Sequence, residues 1–70
     1  MVKFRDIVPG SVVLLGRLNG SRSDLSNTVG FVIDKLSTKI NNSTWTGIKV
    51  QVDDNREEIV AFHNVKEILA

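Results

Sequence analysis

The stretch Thr46-Gly-Ile-Lys-Val-Gln-Val-Asp-Asp-Asn-Arg-Glu-Glu-Ile-Val-Ala-Phe62 decides the fold of this chain. Its first part, Thr46–Val52, alternates apolar residues with small or polar ones, which is typical of a β-strand with one solvated face. Asp53-Asp54-Asn55-Arg56 then predicts a tight turn, because Asp and Asn side chains bond to nearby backbone groups and tolerate left-handed geometry. With Glu57–Phe62 as the returning strand, the stretch predicts a β-hairpin.

Two further strands are predicted before this hairpin and one after it. Ser11–Leu15 is apolar after Ser11 and contains two β-branched valines, and Pro9-Gly10 interrupts the chain just before it. Thr28–Asp34 alternates, so that Val29, Phe31 and Ile33 share one face and Gly30, Val32 and Asp34 the other. A glycine inside a strand indicates a bulge or a close approach of another backbone. At the end of the chain, Val65–Leu69 predicts a last short strand, with a short helix over Asn64–Leu69 as the alternative.

Two connections are long for a chain of 70 residues. Arg17–Asn27 is rich in Ser, Asn and Gly, and its only large apolar residues are Leu18 and Leu25. Ser37–Thr44 is polar apart from Ile40. We therefore predict two long loops, which in small domains are usually functional or mobile.

Length and composition limit the function classes. Residues 1–70 are enough for one domain with one core. The chain has no cysteine, one histidine and one tryptophan, so disulfides and cysteine-based metal sites are excluded. With 41% hydrophobic and 24% charged residues, it has the composition of an ordinary globular domain. The first apolar run, Ser11–Leu15, is too short for a signal peptide or a membrane span, so we expect a cytoplasmic protein without a membrane partner.

The net charge of +1 is too small for a general polyanion binder, but the charges are unevenly distributed. Residues 1–52 hold seven Lys and Arg against three Asp, whereas residues 53–70 hold two against five Asp and Glu. The sequence thus allows a basic side and an acidic side. The alternative is that these charges only keep a small domain in solution.

The order of these segments resembles that of the Src homology 3 (SH3)-like small barrels. The resemblance rests on Phe4–Gly10 before the first strand, Val29-Gly-Phe-Val-Ile33, Trp45 opening a strand, a tight turn, and Asn64-Val-Lys-Glu-Ile-Leu69. Within that set the chain is similar to short stand-alone barrel proteins of tailed bacteriophages and some bacteria. The resemblance implies an all-β, five-stranded, strongly bent antiparallel barrel. It also extends to ribosome- and transcription-associated barrels, in which a Gly-containing basic loop like Arg17–Arg22 precedes a Val-Gly strand.

Residues suited to catalysis are few. His63 has no cysteine beside it, and a single histidine at a strand end is usually structural or simply exposed. Asp53, Asp54, Glu57 and Glu58 cluster at the hairpin, but their spacing matches no cation-binding loop, so a solvated acidic turn is the simpler interpretation. The glycines form no phosphate-binding loop. We predict no enzyme activity, no cofactor and no metal.

The candidate partner-binding residues are Arg17, Arg22, Lys39 and Trp45. Both long loops are expected on one side of such a barrel, which would bring the three cations and the tryptophan to one surface. Tryptophan and arginine are typical anchors of protein interfaces, and the same residues could hold phosphates and stack on a base. The alternatives are that Trp45 closes one end of the barrel and that the cations are solvated.

We therefore predict a non-enzymatic binding module, an accessory or host-directed factor of phage type that contacts a protein through its two long loops. One alternative is a barrel that binds DNA or RNA through the loop cations and Trp45. Another is a structural component of a virion, which would associate through an exposed strand edge.

Overall fold

A computed structural model describes residues 2–70 and every side chain in that range except those of residues 21 and 22. Its strands are β1 (Val12–Leu15), β2 (Val29–Ile40), β3 (Ser43–Asp53), β4 (Arg56–Ala61) and β5 (Val65–Ile68). They form a single antiparallel sheet in the order β4-β3-β2-β1-β5. The three helices of the described residues are short 3₁₀ turns over Phe4–Asp6, Gly20–Leu25 and Phe62–Asn64. The predicted all-β fold with five antiparallel strands is confirmed, and closure into a barrel stays a prediction.

The hairpin of β3 and β4 forms as its sequence predicts. The turn consists of Asp54 and Asn55, and the Asn55 N–H donates to the Asp53 carboxylate at 2.9 Å. This is the side-chain bond that makes Asp and Asn favourable in turns. On β4, Val60 faces inward and is buried, whereas Ile59 is exposed on the opposite face.

Inward-facing residues from all five strands build one hydrophobic core. Within it, the connection between β1 and β2 contributes Leu18 and Leu25, both almost fully buried. The Leu18 N–H donates to the Ser26 hydroxyl at 2.7 Å, which holds the connection against the sheet. The core consists of Ile7, Val13, Leu15, Leu18, Leu25, Val32, Ile48, Val50, Val60 and Val65.

The inner face of β2 is the one that carries Gly30 and Val32. A Cβ atom added to Gly30 would lie 3.1 Å from Cβ of Val50 on β3, so the absence of a side chain leaves room for the Val50 side chain. The neighbour at Gly30 is thus a side chain, and the predicted close approach of another backbone stays a prediction. The register of β2 against β3 shifts between Val32 and Asp34, with Ile33 as the extra residue.

The predicted loop Ser37–Thr44 is wrong, because these residues continue β2 and β3 as a two-stranded hairpin. Only Asn41 and Asn42 form the turn, with φ angles of 47° and 68°. Two consecutive residues at positive φ are characteristic of the type I′ turn, whose twist matches that of the flanking strands. Cross-strand pairing, rather than apolar content, thus makes a strand of this polar segment.

The alternative of a helix over Asn64–Leu69 is also wrong. Phe62–Asn64 forms a single 3₁₀ turn, and Val65–Ile68 then pairs with β1 as a strand. Val65 is inward and buried, which explains why the segment extends along the sheet instead of coiling. The predicted last strand is confirmed.

Candidate functional site

Arg17, Lys39 and Trp45, three of the four predicted binding residues, do not share one surface. Arg17 is exposed in the connection that leads into the first residue of β2, whereas Lys39 lies near the last residue of that twelve-residue strand. The side chain of Arg22 lies outside the described part of the chain. The expectation that two loops meet on one side is wrong, because one of them is a hairpin extending from the far end of β2.

We call residues 37–46 the hairpin arm. In it, Thr38 is paired with Trp45 and Lys39 with Thr44. Directly opposite residues share a face of the sheet and neighbouring residues do not. Lys39 and Trp45 therefore lie close together along the arm but on opposite faces.

Trp45 lies flat on its own strand. A Cβ atom added to Gly47 would lie 2.8 Å from Cζ3 of the Trp45 ring, and closer still to Cη2. Gly47 is buried beneath the half-buried indole. The aromatic ring thus replaces the side chain that Gly47 lacks, a known device for stabilising glycine in a sheet. Trp45 does not close the end of the core.

The aromatic residues that pack against the core are Phe4 and Phe62. Phe4 and Phe62 meet edge to face, with ring centroids 5.4 Å apart. The ammonium group of Lys35 lies 4.2 Å from the centroid of the Phe4 ring, within cation–π distance. The Lys35 ammonium group therefore makes an intramolecular contact.

The outer face of the sheet carries an apolar patch that sequence reasoning did not identify as a site. Phe31 pairs with Val12 and Val29 with Leu14, so these four side chains lie together opposite the core. The N–H of Leu69 donates to the Val12 carbonyl at 2.7 Å, which brings Leu69 beside them. Val29, Phe31 and Leu69 are 49%, 50% and 47% exposed. We call Val12, Leu14, Val29, Phe31 and Leu69 the outer patch.

Polar residues border the outer patch on both sides. Gln51 of β3 pairs with Phe31, and Glu67 of β5 pairs with Leu14. An apolar centre with a polar rim is the usual arrangement of a protein contact surface. The alternation of Val29 and Phe31 was visible in the sequence, but nothing there showed that this face points outward.

Ion pairs partly neutralise the acidic side chains of the β3–β4 hairpin. The Arg56 guanidinium contacts the carboxylates of Asp24 at 2.6 Å and Glu58 at 3.1 Å. Its hydrogen bond holds the pKa of Asp24 below the usual value, and the two carboxylates raise the pKa of Arg56. Lys49 pairs with Glu57 at 3.3 Å. These contacts mix the basic and acidic parts of the sequence, so the predicted separation into two charged sides does not appear around the hairpin.

The described residues contain no group of three or more His, Asp or Glu side chains that could hold a metal ion, and no enclosed cavity. They also contain no helix with the length and hydrophobicity needed to cross a bilayer. No family model, curated protein or solved structure matches the chain significantly.

Proposed function

We propose that the chain is a non-enzymatic protein-binding module that contacts its partner through the outer patch. The observation that carries this proposal is the half-exposed group of Val29, Phe31 and Leu69 on a regular sheet face. Isolated exposed apolar residues are common, but contiguous ones bordered by polar groups mark interaction surfaces. Phe31 is the natural anchor, because aromatic side chains dominate contact energies.

The partner that suits this surface is a different protein with a small apolar contact area. A stable interface of standard size buries about 800 Å² on each side. Five side chains, of which Val12 and Leu14 are already partly covered, supply much less. A permanent dimer of this chain would need a larger apolar contact area than the patch offers. Contact with a single helix or strand of another protein needs a smaller area, which the patch can supply. From the resemblance to short phage barrels, we infer an accessory or host-directed role.

Photo-crosslinking tests this proposal. Benzoylphenylalanine is placed at Phe31 and, as a control, at Ile40, which is exposed outside the patch. The chain is expressed in bacterial cells, the protein crosslinked from position 31 is identified and purified, and its affinity is measured by calorimetry. We expect Phe31→Ser to weaken binding about tenfold or more and Ile40→Ser to leave it unchanged. The proposal fails if position 31 captures only a second copy of this chain, only nucleic acid, or nothing.

Nucleic-acid binding is a second candidate because of one observation. Residues 35–52 contain three lysines and no acidic residue. Within them, the hairpin arm extends beyond the pairing with β4 as a two-stranded ribbon, a shape that the major groove of DNA admits. Amide shifts in the arm on adding a short DNA duplex would support this candidate if they weaken steeply with salt. Absence of shifts at low salt would exclude it.

The third expectation, a structural component of a virion, predicts self-association. Sedimentation over a range of protein concentrations distinguishes it, because such a component forms oligomers as the concentration rises.

A further inference from the structure

The β2 strand of the hairpin arm carries a free sheet edge. β1 pairs with β2 only between Val29 and Phe31, and the last backbone bonds on that side reach Val32. From Asp34 to Ile40, β2 is paired with β3 on its other side alone. The backbone groups that face away from β3 are therefore open to an added strand.

The geometry of the turn identifies these groups. A two-residue hairpin closes with a hydrogen-bonded pair, here Ile40 with Ser43, and bonded pairs then recur at every second residue. Leu36 and Thr38 thus bond to β3, whereas Ser37 and Lys39 direct their N–H and C=O groups outward. The same alternation places the Lys35 N–H outward, and indeed it donates to the Asp34 carboxylate at 2.8 Å.

Ser37 and Lys39 are both exposed, and none of the additional backbone bonds among the described residues involves them. Two residues therefore present two donors and two acceptors in strand geometry. Unpaired groups of this kind bind extended peptides in strand-addition complexes. No proline or bulge interrupts the edge between Asp34 and Ile40.

The side chains along this edge define the chemistry of the occupant. Lys39 projects on the face shared with Ser37, and in the described part of the chain it has no ion-pair partner. The opposite face presents Leu36 and Ile40, with Ile40 largely exposed. An added strand that alternates acidic and apolar residues would match both faces.

We propose that this edge binds an extended acidic segment of a partner protein as an additional β-strand. This site goes beyond the outer patch and does not depend on it. A second copy of the chain suits the edge less well, because antiparallel pairing centred on Ser37 would set Lys35 of one copy opposite Lys39 of the other. Like charges at directly opposite positions destabilise a sheet.

Amide hydrogen exchange and amide shifts test the proposal. The probe is a heptapeptide with blocked ends in which glutamate and valine alternate, and the control peptide has lysine in place of glutamate. We expect the glutamate peptide to shift and protect the amides of Ser37 and Lys39, which exchange rapidly in the free protein. The Thr38 amide, already bonded to β3, should be protected in both states.

Two substitutions isolate the backbone and the charge. Ser37→Pro removes an outward N–H without removing a bond to β3 and should weaken binding about tenfold, whereas Ser37→Ala keeps the N–H and should preserve it. If Ser37→Pro unfolds the arm, Lys39→Glu provides the decisive test, because it should reverse the preference between the two peptides. Phe31→Ser should leave peptide binding unchanged, which separates this site from the outer patch.

The proposal is overturned if the glutamate peptide at about 1 mM shifts neither amide, or if the lysine peptide binds equally well. It is also overturned if the Ser37 and Lys39 amides become protected with rising protein concentration alone. That result would assign the edge to a second copy. Shifts of the arm with a DNA duplex but not with the glutamate peptide would assign it to nucleic acid.

Discussion

Gly47 is the residue whose small size has the clearest structural reason. Besides the Trp45 ring, a Cβ atom there would meet the Val60 carbonyl oxygen at 2.8 Å. The ring can turn away, but the backbone carbonyl belongs to the paired strand β4 and has little freedom. The position thus accepts no side chain without displacement of a strand.

We predict that Gly47→Ala lowers the free energy of unfolding by about 1–3 kcal/mol, the usual cost of overpacking. Urea denaturation followed by far-UV circular dichroism measures it, since this signal does not depend on Trp45. In a Trp45→Thr background the same substitution should cost less, though still more than zero, because the Val60 carbonyl remains. An equal cost in both backgrounds would show that the indole does not oppose the new methyl group.

Leu25 is expected to contribute strongly to stability. It is buried although it lies in a segment that is otherwise polar, so Leu25→Ala should cost about 2–5 kcal/mol. Ile40→Ala is the control, since an exposed side chain is expected to contribute less than about 0.5 kcal/mol. Thermal and urea unfolding of both variants test this. Similar losses would mean that the connection is not packed into the core.

The hairpin arm is the element in which sequence and structure differ most. Apolar and polar residues alternate only weakly in the arm, because both of its faces lie beyond the core and are solvated. Hydrophobic periodicity therefore does not identify these residues as strands. The turn signal was present, since consecutive asparagines tolerate positive φ. The strand itself follows from pairing with a neighbour, which single-residue propensity does not contain.

The turn of this arm leads to a prediction. Glycine adopts positive φ without steric cost, and Asn-Gly is the preferred type I′ pair. Asn42→Gly should therefore stabilise the protein by about 0.5 kcal/mol, whereas Asn42→Val should destabilise it. Urea midpoints determine the order of the three proteins. A stability ranking with the valine variant first would exclude the type I′ turn.

The connection between β1 and β2 is tied to the β3–β4 turn by the ion pair of Asp24 and Arg56. The hydrogen bond from Arg56 lowers the pKa of Asp24, so this contribution to stability is present above the usual Asp pKa. It is lost as the pH falls through the lowered value. Because Asp24 is exposed, salt should also weaken it.

Asp24→Asn should accordingly lower the urea midpoint slightly at pH 7, and the difference from the unaltered protein should vanish in acid and at high salt. Asp54→Asn, an exposed carboxylate in the opposing turn, is the control and should change the midpoint less at pH 7. A difference that persists at low pH would indicate an effect other than the ion pair. Sequence could not reveal this pair, since 32 residues separate its members.

Across the sheet as a whole, the number of strands and their positions along the chain could be predicted from the sequence, but the orientation of their faces could not. The alternation of Thr28–Asp34 placed Val29 and Phe31 together, yet it fitted an inward or an outward face equally well. The choice is made by Gly30, whose missing side chain admits Val50 from the inside. The outer patch could not be predicted for the same reason. It consists of apolar residues on the face of β2 that points away from the core.

The first and last strands of the chain, β1 and β5, are neighbours in the sheet. Leu15 pairs with Val65, and the Gly16 N–H donates to the Asn64 carbonyl at 2.6 Å, so the two ends of the sequence hold each other in the sheet. Such pairing closes a loop of about fifty residues, whose entropic cost favours cooperative, comparatively slow folding. We therefore expect β1 to need β5, and β5 to need β1, for stable folding.

We predict that a chain ending at Asn64 loses cooperative unfolding altogether. It lacks the buried Val65 side chain and leaves the inner strand β1 without a neighbour on one side, a loss that exceeds the few kcal/mol by which small domains are stable. Far-UV circular dichroism and Trp45 fluorescence in urea should show a gradual change in place of a sigmoidal transition. The full chain with Lys66→Ala and Glu67→Ala, both exposed, is the matched control and should keep its transition. A cooperative transition at an unchanged midpoint in the shortened chain would mean that β1 is held by β2 and the core alone.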